Sequence, residues 1–426
     1  MVQDLGGDHG PAMLGQYRLL ARLGTGGMAE VFLARIEGAA GFTKYLAIKK
    51  MRAELTSHRE FIDLFVEEAR TASLLSHPNV VQIHELANVD GQYFMIMEYL
   101  EGVPVSSVMV RQLRKPDTFD LPFVLGVIEQ ACEGIHFAHE LADDAGNPYN
   151  IVHRDVSPPN LFVTTGGVIK LLDFGISKSR NSIVKTLTGQ IRGKFSYMSP
   201  EQLRGAQLDR RSDVFSLGIV LFELTTGRRL FKRKTRLEVF QAIVKQPIPS
   251  PGTVRNGLPD DLVAVIDKAL ARDREQRFGS ARDMGDALRE ISRPIGGVAH
   301  TSDIANTIQD LFERELHAKR CLLTNPSISP PPTEGTHSES TQPTANLRVG
   351  TDSNDPPAES GGEYTIPDAF NPDDREFVDT DATTKALASF DDTAVSLVSP
   401  ADPGMEELSS DSSRKRLDTR DAESDD

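Results

Sequence analysis

The sequence predicts an α+β fold over about Tyr17 to Arg320, followed by a tail with no fold of its own. Three observations carry this expectation. Short apolar runs such as Tyr93 to Met97 and Val168 to Leu172 have the length and bounds of strands. Longer periodic segments, Leu121 to Leu141 and Leu262 to Leu270, have the spacing of helices. After about Asn325 the composition shifts to Ser, Thr, Pro, Gly and Asp, opening with Pro330, Pro331 and Pro332. Such a segment buries too little apolar surface to offset its ordering entropy, so 325–426 is expected to be a disordered acidic tail. A last amphipathic helix is expected at Ser302 to Lys319, capped by Thr301, Ser302 or Asp303. Ile304, Ile308, Leu311, Phe312 and Leu316 share one face and would pack back on the domain.

The chain has 426 residues, 39% hydrophobic and 26% charged, enough for more than one domain. No stretch approaches the roughly 18 apolar residues of a membrane span; the longest candidate is Val214 to Leu224. The first residues, Met1 to Gly15, carry Asp4 and Asp8 and no apolar core, unlike a signal peptide. Cys132 and Cys321 are too few for a disulfide framework or a zinc site. These features predict a soluble cytoplasmic protein. The net charge of -15 sits in the tail: residues 321–426 hold 23 acids and 7 bases, the first 320 residues 39 acids and 40 bases. No long basic stripe of the kind that nucleic-acid binding needs is read in the front part.

Paired glycines in Leu23-Gly24-Thr25-Gly26-Gly27-Met28-Ala29-Glu30-Val31 would let backbone approach phosphate oxygens. An ordinary hairpin fits them equally well. A dinucleotide fold would open a helix here, whereas Val31-Phe32-Leu33-Ala34 continues as strand, which favours a flap over a nucleotide. In Leu46-Ala47-Ile48-Lys49 the lysine can direct its ammonium to phosphates, with Glu68, in the helical run Arg59 to Leu75, as the carboxylate that holds it. The decisive segment is His153-Arg154-Asp155-Val156-Ser157-Pro158-Pro159-Asn160, followed by Asp173-Phe174-Gly175. Asp155 and Asn160 can divide two tasks: orienting an incoming hydroxyl and holding a divalent cation. Asp173 adds a second hard oxygen ligand of the kind Mg²⁺ prefers.

With these motifs in this order, the chain resembles the eukaryotic-type (Hanks-type) protein kinases, most of all the bacterial serine/threonine members, including those of myxobacteria. Ser199-Pro200-Glu201, Asp213 and Arg277 extend the resemblance over about 270 residues. It implies a bilobal protein kinase fold: an antiparallel small lobe with hinge at 17–100 and a mainly helical large lobe at 101–292. Residues 1–16 would be a leader and 301–320 an additional helix. It implies ATP and Mg²⁺. Asp155 would be the catalytic base or hydroxyl-orienting group, Asn160 and Asp173 the metal ligands, and Lys49 the phosphate contact paired with Glu68. Residues Leu23 to Val31 would cover the nucleotide. Met97 would be the gatekeeper, Glu98 and Leu100 would offer backbone groups to adenine, and Val31, Ala47 and Phe162 would sandwich the ring. Glu201 and Arg277 would brace the large lobe, and Asp213 the catalytic loop.

Three positions depart from the family pattern. Ala29 replaces the third loop glycine. Ser157 stands where a lysine is usual, and Lys194 where a threonine is usual. The last two read as one exchange, with the Lys194 ammonium replacing the usual charge and Ser157 as its partner; a solvated Lys194 is the plain alternative. Arg154 could pair with a phosphate on the segment Asp173 to Glu201, which offers Ser177, Ser179, Ser182, Thr186, Thr188 and Ser196. Thr186 and Thr188 are the expected autophosphorylation sites, in a homodimer. Partners would be protein substrates and, through Thr365-Ile366-Pro367-Asp368, a phosphothreonine-reading module; neither nucleic acid nor a membrane span is expected. The implied reaction is transfer of the γ-phosphoryl group of ATP to serine or threonine of proteins. A catalytically weak nucleotide-binding scaffold and a small-molecule kinase are the competing readings.

Overall fold

The computed structural model describes residues 13–114, 120–175 and 194–324. Its first part is an antiparallel sheet of β1 (Met13–Leu14), β2 (Tyr17–Thr25), β3 (Ala29–Glu37), β4 (Thr43–Met51), β5 (Ile83–Val89) and β6 (Gln92–Glu98), with helix α1 (Arg59–Ser73) between β4 and β5. The strand order is β1-β2-β3-β4-β6-β5. Period-two alternation sorts the side chains. Leu46 and Ile48 pack with Phe32, Ala34, Phe94 and Ile96 on one face. Ala47 and Met51 pack with Met95, Met97 and the α1 residues Phe65, Ala69 and Ala72 on the other. Lys49 alternates with Ala47 and Met51, so it faces α1. Because β1 pairs with β2 through Met13↔Arg18 and Leu14↔Tyr17, the sheet begins ahead of Tyr17.

A second, three-stranded sheet of β7 (Gly102–Pro104), β8 (Leu161–Thr164) and β9 (Ile169–Leu171) lies beyond the hinge. Helices α2 (Val105–Arg114) and α3 (Leu121–Glu140) precede β8. After β9 come α4 (Pro200–Arg204), α5 (Arg211–Thr226), α6 (Arg236–Val244), α7 (Pro251–Val254), α8 (Asp260–Ala269), α9 (Ala281–Ser292) and α10 (Thr301–Thr324). Asp120 caps α3, its carboxylate accepting from the Phe123 N–H at 2.9 Å. Apolar side chains cover α5 nearly all round, and it is accordingly the buried central helix.

Helix α10 departs from the sequence expectation at both ends. Thr301 is its first residue rather than its cap, and Asp303 in the first turn accepts the His300 N–H at 3.2 Å. It also runs past Lys319 to Thr324. The expected apolar face is buried: Ile304, Ile308, Phe312 and Leu316 join the large-lobe core, with Leu311 packed at its edge. Its start sits against Gly167, where φ is +76° and a Cβ would lie 1.8 Å from the Thr301 carbonyl oxygen; only glycine admits that approach. Among the described residues no helix is long and apolar enough to cross a membrane.

Candidate active site

The β2–β3 connection is a short turn, Gly26-Gly27-Met28, closed by the Gly26 N–H donating to the Ala29 carbonyl at 2.7 Å. Gly24 pairs with Val31 and Thr25 with Glu30, so Leu23, Gly24 and Thr25 end one strand and Ala29, Glu30 and Val31 begin the next. The Arg22–Glu30 ion pair, 2.8 Å, ties the base of the loop. The Ala29 methyl is buried in the sheet core, which explains why this position has no need of glycine.

Lys49 Nζ lies 2.7 Å from Glu68 Oε1 and 2.8 Å from Asp173 Oδ1. Burial by itself pulls a lysine pKa down, but Asp173 and Glu68 more than offset it and carry the pKa upward, so the ammonium stays charged. Glu68 reaches this point because it lies three residues after Phe65 and four before Ala72, on the buried stripe of α1. Above Lys49, Val31 is its cross-strand partner and Ala47 pairs with Met97; Met97 is a core side chain. Glu98 ends β6, its carboxylate accepting from Lys170 at 2.6 Å and from the Gln82 N–H at 2.8 Å. Leu100 follows in the hinge. Phe162, half-buried on β8, faces Pro104 in the register.

The catalytic-loop candidate is clamped from below. The buried Asp213 carboxylate of α5 accepts the backbone N–H of His153 at 2.8 Å and of Arg154 at 2.9 Å, and His139 Nε2 at 2.8 Å. Burial alone would raise the Asp213 pKa, but the His139 hydrogen bond and charge and the other donors hold it below the usual value. This clamp supports the left-handed backbone of Arg154, φ +63°. Asp155 is 8% exposed. Asn160 Nδ2 donates to the Asp155 carbonyl at 2.8 Å and to its carboxylate at 2.9 Å, which turns the Asn160 amide oxygen away from Asp155. The Ser157 hydroxyl donates to the Asp155 carbonyl at 3.3 Å. The Leu172 N–H donates to the Asn160 carbonyl at 2.9 Å and the Gly175 N–H to the His153 carbonyl at 2.8 Å. The His153 ring lies 4.5 Å from that of Phe174. Asp155, Asn160 and Asp173 are thus carried on one hydrogen-bonded unit, from which Asp173 reaches Lys49.

Beyond it, Ser199 and Gln202 form a capping box at the start of α4, and Gln202 Nε2 donates to the Arg154 carbonyl at 2.9 Å. Glu201 makes a two-pronged pair with Arg277, 2.7 and 2.9 Å, and accepts from Ser212 at 2.7 Å. Ser196, expected as an available phosphorylation site, is 5% exposed and donates to the Phe231 carbonyl; its hydroxyl is structural. Ser177, Ser179, Ser182, Thr186, Thr188, the Lys194 side chain and Thr365 to Asp368 lie outside the described residues. The balanced charge of the front part conceals a basic cluster. Six of the nine residues from Arg228 to Arg236 are basic, and Arg228, Lys232, Arg233, Lys234 and Arg236 are exposed. The run itself was the signal; averaged over the balanced front part it disappears.

The protein kinase domain family matches residues 17–287. The chain is 45% identical over 284 residues to the tyrosine-protein kinase MasK of Myxococcus xanthus, covering 66% of this chain and 44% of that one. It is 34% identical over 275 residues to the serine/threonine-protein kinase PrkC of Bacillus subtilis, covering 65% and 40%. The match therefore spans under half the length of either relative. Among solved structures, the PknI kinase domain of Mycobacterium tuberculosis superposes with a TM-score of 0.51 at 27% identity, over 66% of this chain and 98% of that one. Sequence, fold and cleft agree: the chain belongs to the protein kinase family.

Proposed function

We propose that this chain transfers the γ-phosphoryl group of ATP to serine or threonine hydroxyls of proteins, itself included. The observation that carries this reading is that Lys49 is paired with both Glu68 and Asp173, while Asn160 holds Asp155 and backbone hydrogen bonds join the Asp155 and Asp173 segments. The donor set fits a magnesium nucleotide. Asn160 spends its amide N–H groups on Asp155 and so retains an oxygen, and the Asp173 side chain is half exposed. Two hard oxygens with phosphate and water suit Mg²⁺. When bound, the ion neutralises charge on the transferring phosphoryl group. Lys49 steadies the phosphates, and Glu68 holds Lys49. Asp155, oriented by Asn160 and by the Asp213 clamp, positions the acceptor hydroxyl and takes its proton. Gly24 to Val31 cover the nucleotide, Val31, Ala47 and Phe162 enclose the adenine, and the backbone of Glu98 and Leu100 pairs with it.

In this reading the kinase domain is 17–292, with its lobes meeting after residue 100, and α10 is an addition to it. Thr186 and Thr188 are the autophosphorylation sites, with Arg154 receiving the phosphate. Lys194 supplies the charge that Ser157 cannot. Serine/threonine specificity is supported by the Tyr197-Met198-Ser199-Pro200-Glu201 context and by PrkC; the name of MasK makes the acceptor residue the point to test. With radiolabelled ATP and Mg²⁺, label should enter the chain and added proteins as phosphoserine or phosphothreonine. Asp155→Asn should lower the rate by about 10²- to 10⁴-fold. Phosphotyrosine alone would overturn the specificity, and equal labelling by Asp155→Asn would overturn the mechanism. A chain that binds ATP but labels nothing would be the docking scaffold.

A further inference from the structure

We propose that the exposed basic loop Arg228–Arg236 is a docking surface for acidic segments of protein substrates, selecting acceptor hydroxyls that are flanked by Asp and Glu. This deepens the kinase reading and rests on it.

Four links fix the loop beside residues 195–199, the stretch that leads into α4, whose Gln202 holds the Arg154 carbonyl. Tyr197 donates its hydroxyl to the buried Glu223 at 2.7 Å, and the same carboxylate accepts from Arg229 at 3.1 Å and from the Leu230 N–H at 3.0 Å. The Arg229 guanidinium lies 5.2 Å from the centre of the Tyr197 ring. Ser196 donates to the Phe231 carbonyl at 3.3 Å. Arg236 covers the Phe195 ring, 5.2 Å from its centre. Leu230 and Phe231 are buried, so the loop is anchored at its middle while its next residues turn outward.

Those next residues, Lys232, Arg233 and Lys234, are exposed. Arg233 donates to the Lys232 carbonyl, and the Lys234 backbone N–H is held by Glu238 at 3.1 Å. No described carboxylate lies within ion-pair distance of the Arg233 or Lys234 side chains. Concentrated positive charge on a fixed loop attracts negative charge and orients it. The position next to residues 195–199 favours a polypeptide entering the cleft over a nucleic acid or a lipid surface. The chain itself holds a segment of this chemistry: residues 371–384 carry five acids, one base and three threonines.

The test uses the full chain, ATP and Mg²⁺, a synthetic peptide of residues 371–384, and its analogue with every Asp and Glu replaced by Asn and Gln. The acidic peptide should show a KM roughly tenfold lower than the analogue, each exposed ion pair contributing a factor of about two. The advantage should shrink as salt rises past about 0.1 M. The triple variant Lys232→Ala, Arg233→Ala, Lys234→Ala should lose it while keeping its thermal midpoint and its turnover of the analogue. Equal KM values for the two peptides, or a preference that survives in the triple variant, would overturn the proposal. Fluorescence anisotropy of the labelled acidic peptide without ATP separates the two readings. Salt-sensitive binding that the triple variant loses, with no phosphoryl transfer to any peptide, keeps the docking surface and sinks the catalytic reading. Tighter binding of duplex DNA or phosphatidylserine vesicles by the same three residues would also overturn it.

Discussion

Glu201 and Arg277 form a charge pair that the interior can hold only while both partners are present. Burial alone would raise the Glu201 pKa, but the Arg277 hydrogen bonds and charge, with Ser212, keep it below the ordinary glutamate range. A depressed carboxylate pKa gives stability that is complete above the unfolded value and is lost as pH falls through the folded one. Glu201→Gln should therefore cost about 3–5 kcal/mol at neutral pH, because it strands the buried guanidinium. It should also flatten the loss of stability that the native chain shows below about pH 4. Denaturant melts of both proteins across that range check the sign; an unchanged slope would deny the pair its role. In the cleft, Lys49→Met should lower kcat/KM by about a hundredfold or more with little change in melting temperature, since its role is electrostatic.

Two glycines of similar backbone make a test at the scale of elements. Gly167 and Gly91 both have positive φ, +76° and +79°, but only Gly167 faces a neighbour, the first turn of α10. Gly91→Ala should cost about 1 kcal/mol, the strain of the backbone alone. Gly167→Ala should cost several times as much, or release α10, because its methyl would overlap the Thr301 carbonyl. Thermal unfolding of the two variants compares them. The amphipathic face of α10 could be read from spacing, as could its packing inward. Its extension to Thr324 could not, since Tyr45, Glu101 and Gly102, which hold its end, lie more than 200 residues earlier in the chain.

Across the whole molecule, α10 fastens the two lobes. It starts under Gly167, and Arg111 pairs with Glu315 midway. Lys319 donates to the Gly102 carbonyl at 2.8 Å, Arg320 pairs with Glu101, and the Tyr45 hydroxyl of β4 donates to the Leu323 carbonyl at 2.6 Å. Its four buried apolar side chains are each worth roughly 1.5–3 kcal/mol. A chain ended at residue 300 should be markedly less stable than one ended at Thr324, or aggregate; equal denaturation midpoints would show that the helix is dispensable. The order of the chemical motifs, the alternation of the strands and the apolar stripe of α10 were legible in the linear chain, because local spacing dictates which way a side chain points. Only the fold decided that Lys49 also meets Asp173, that Ser196 is buried, and that six basic residues within a stretch of nine stand beside residues 195–199. Those facts depend on contacts between residues far apart in the chain, and such contacts form only when burial of the shared core brings the elements together.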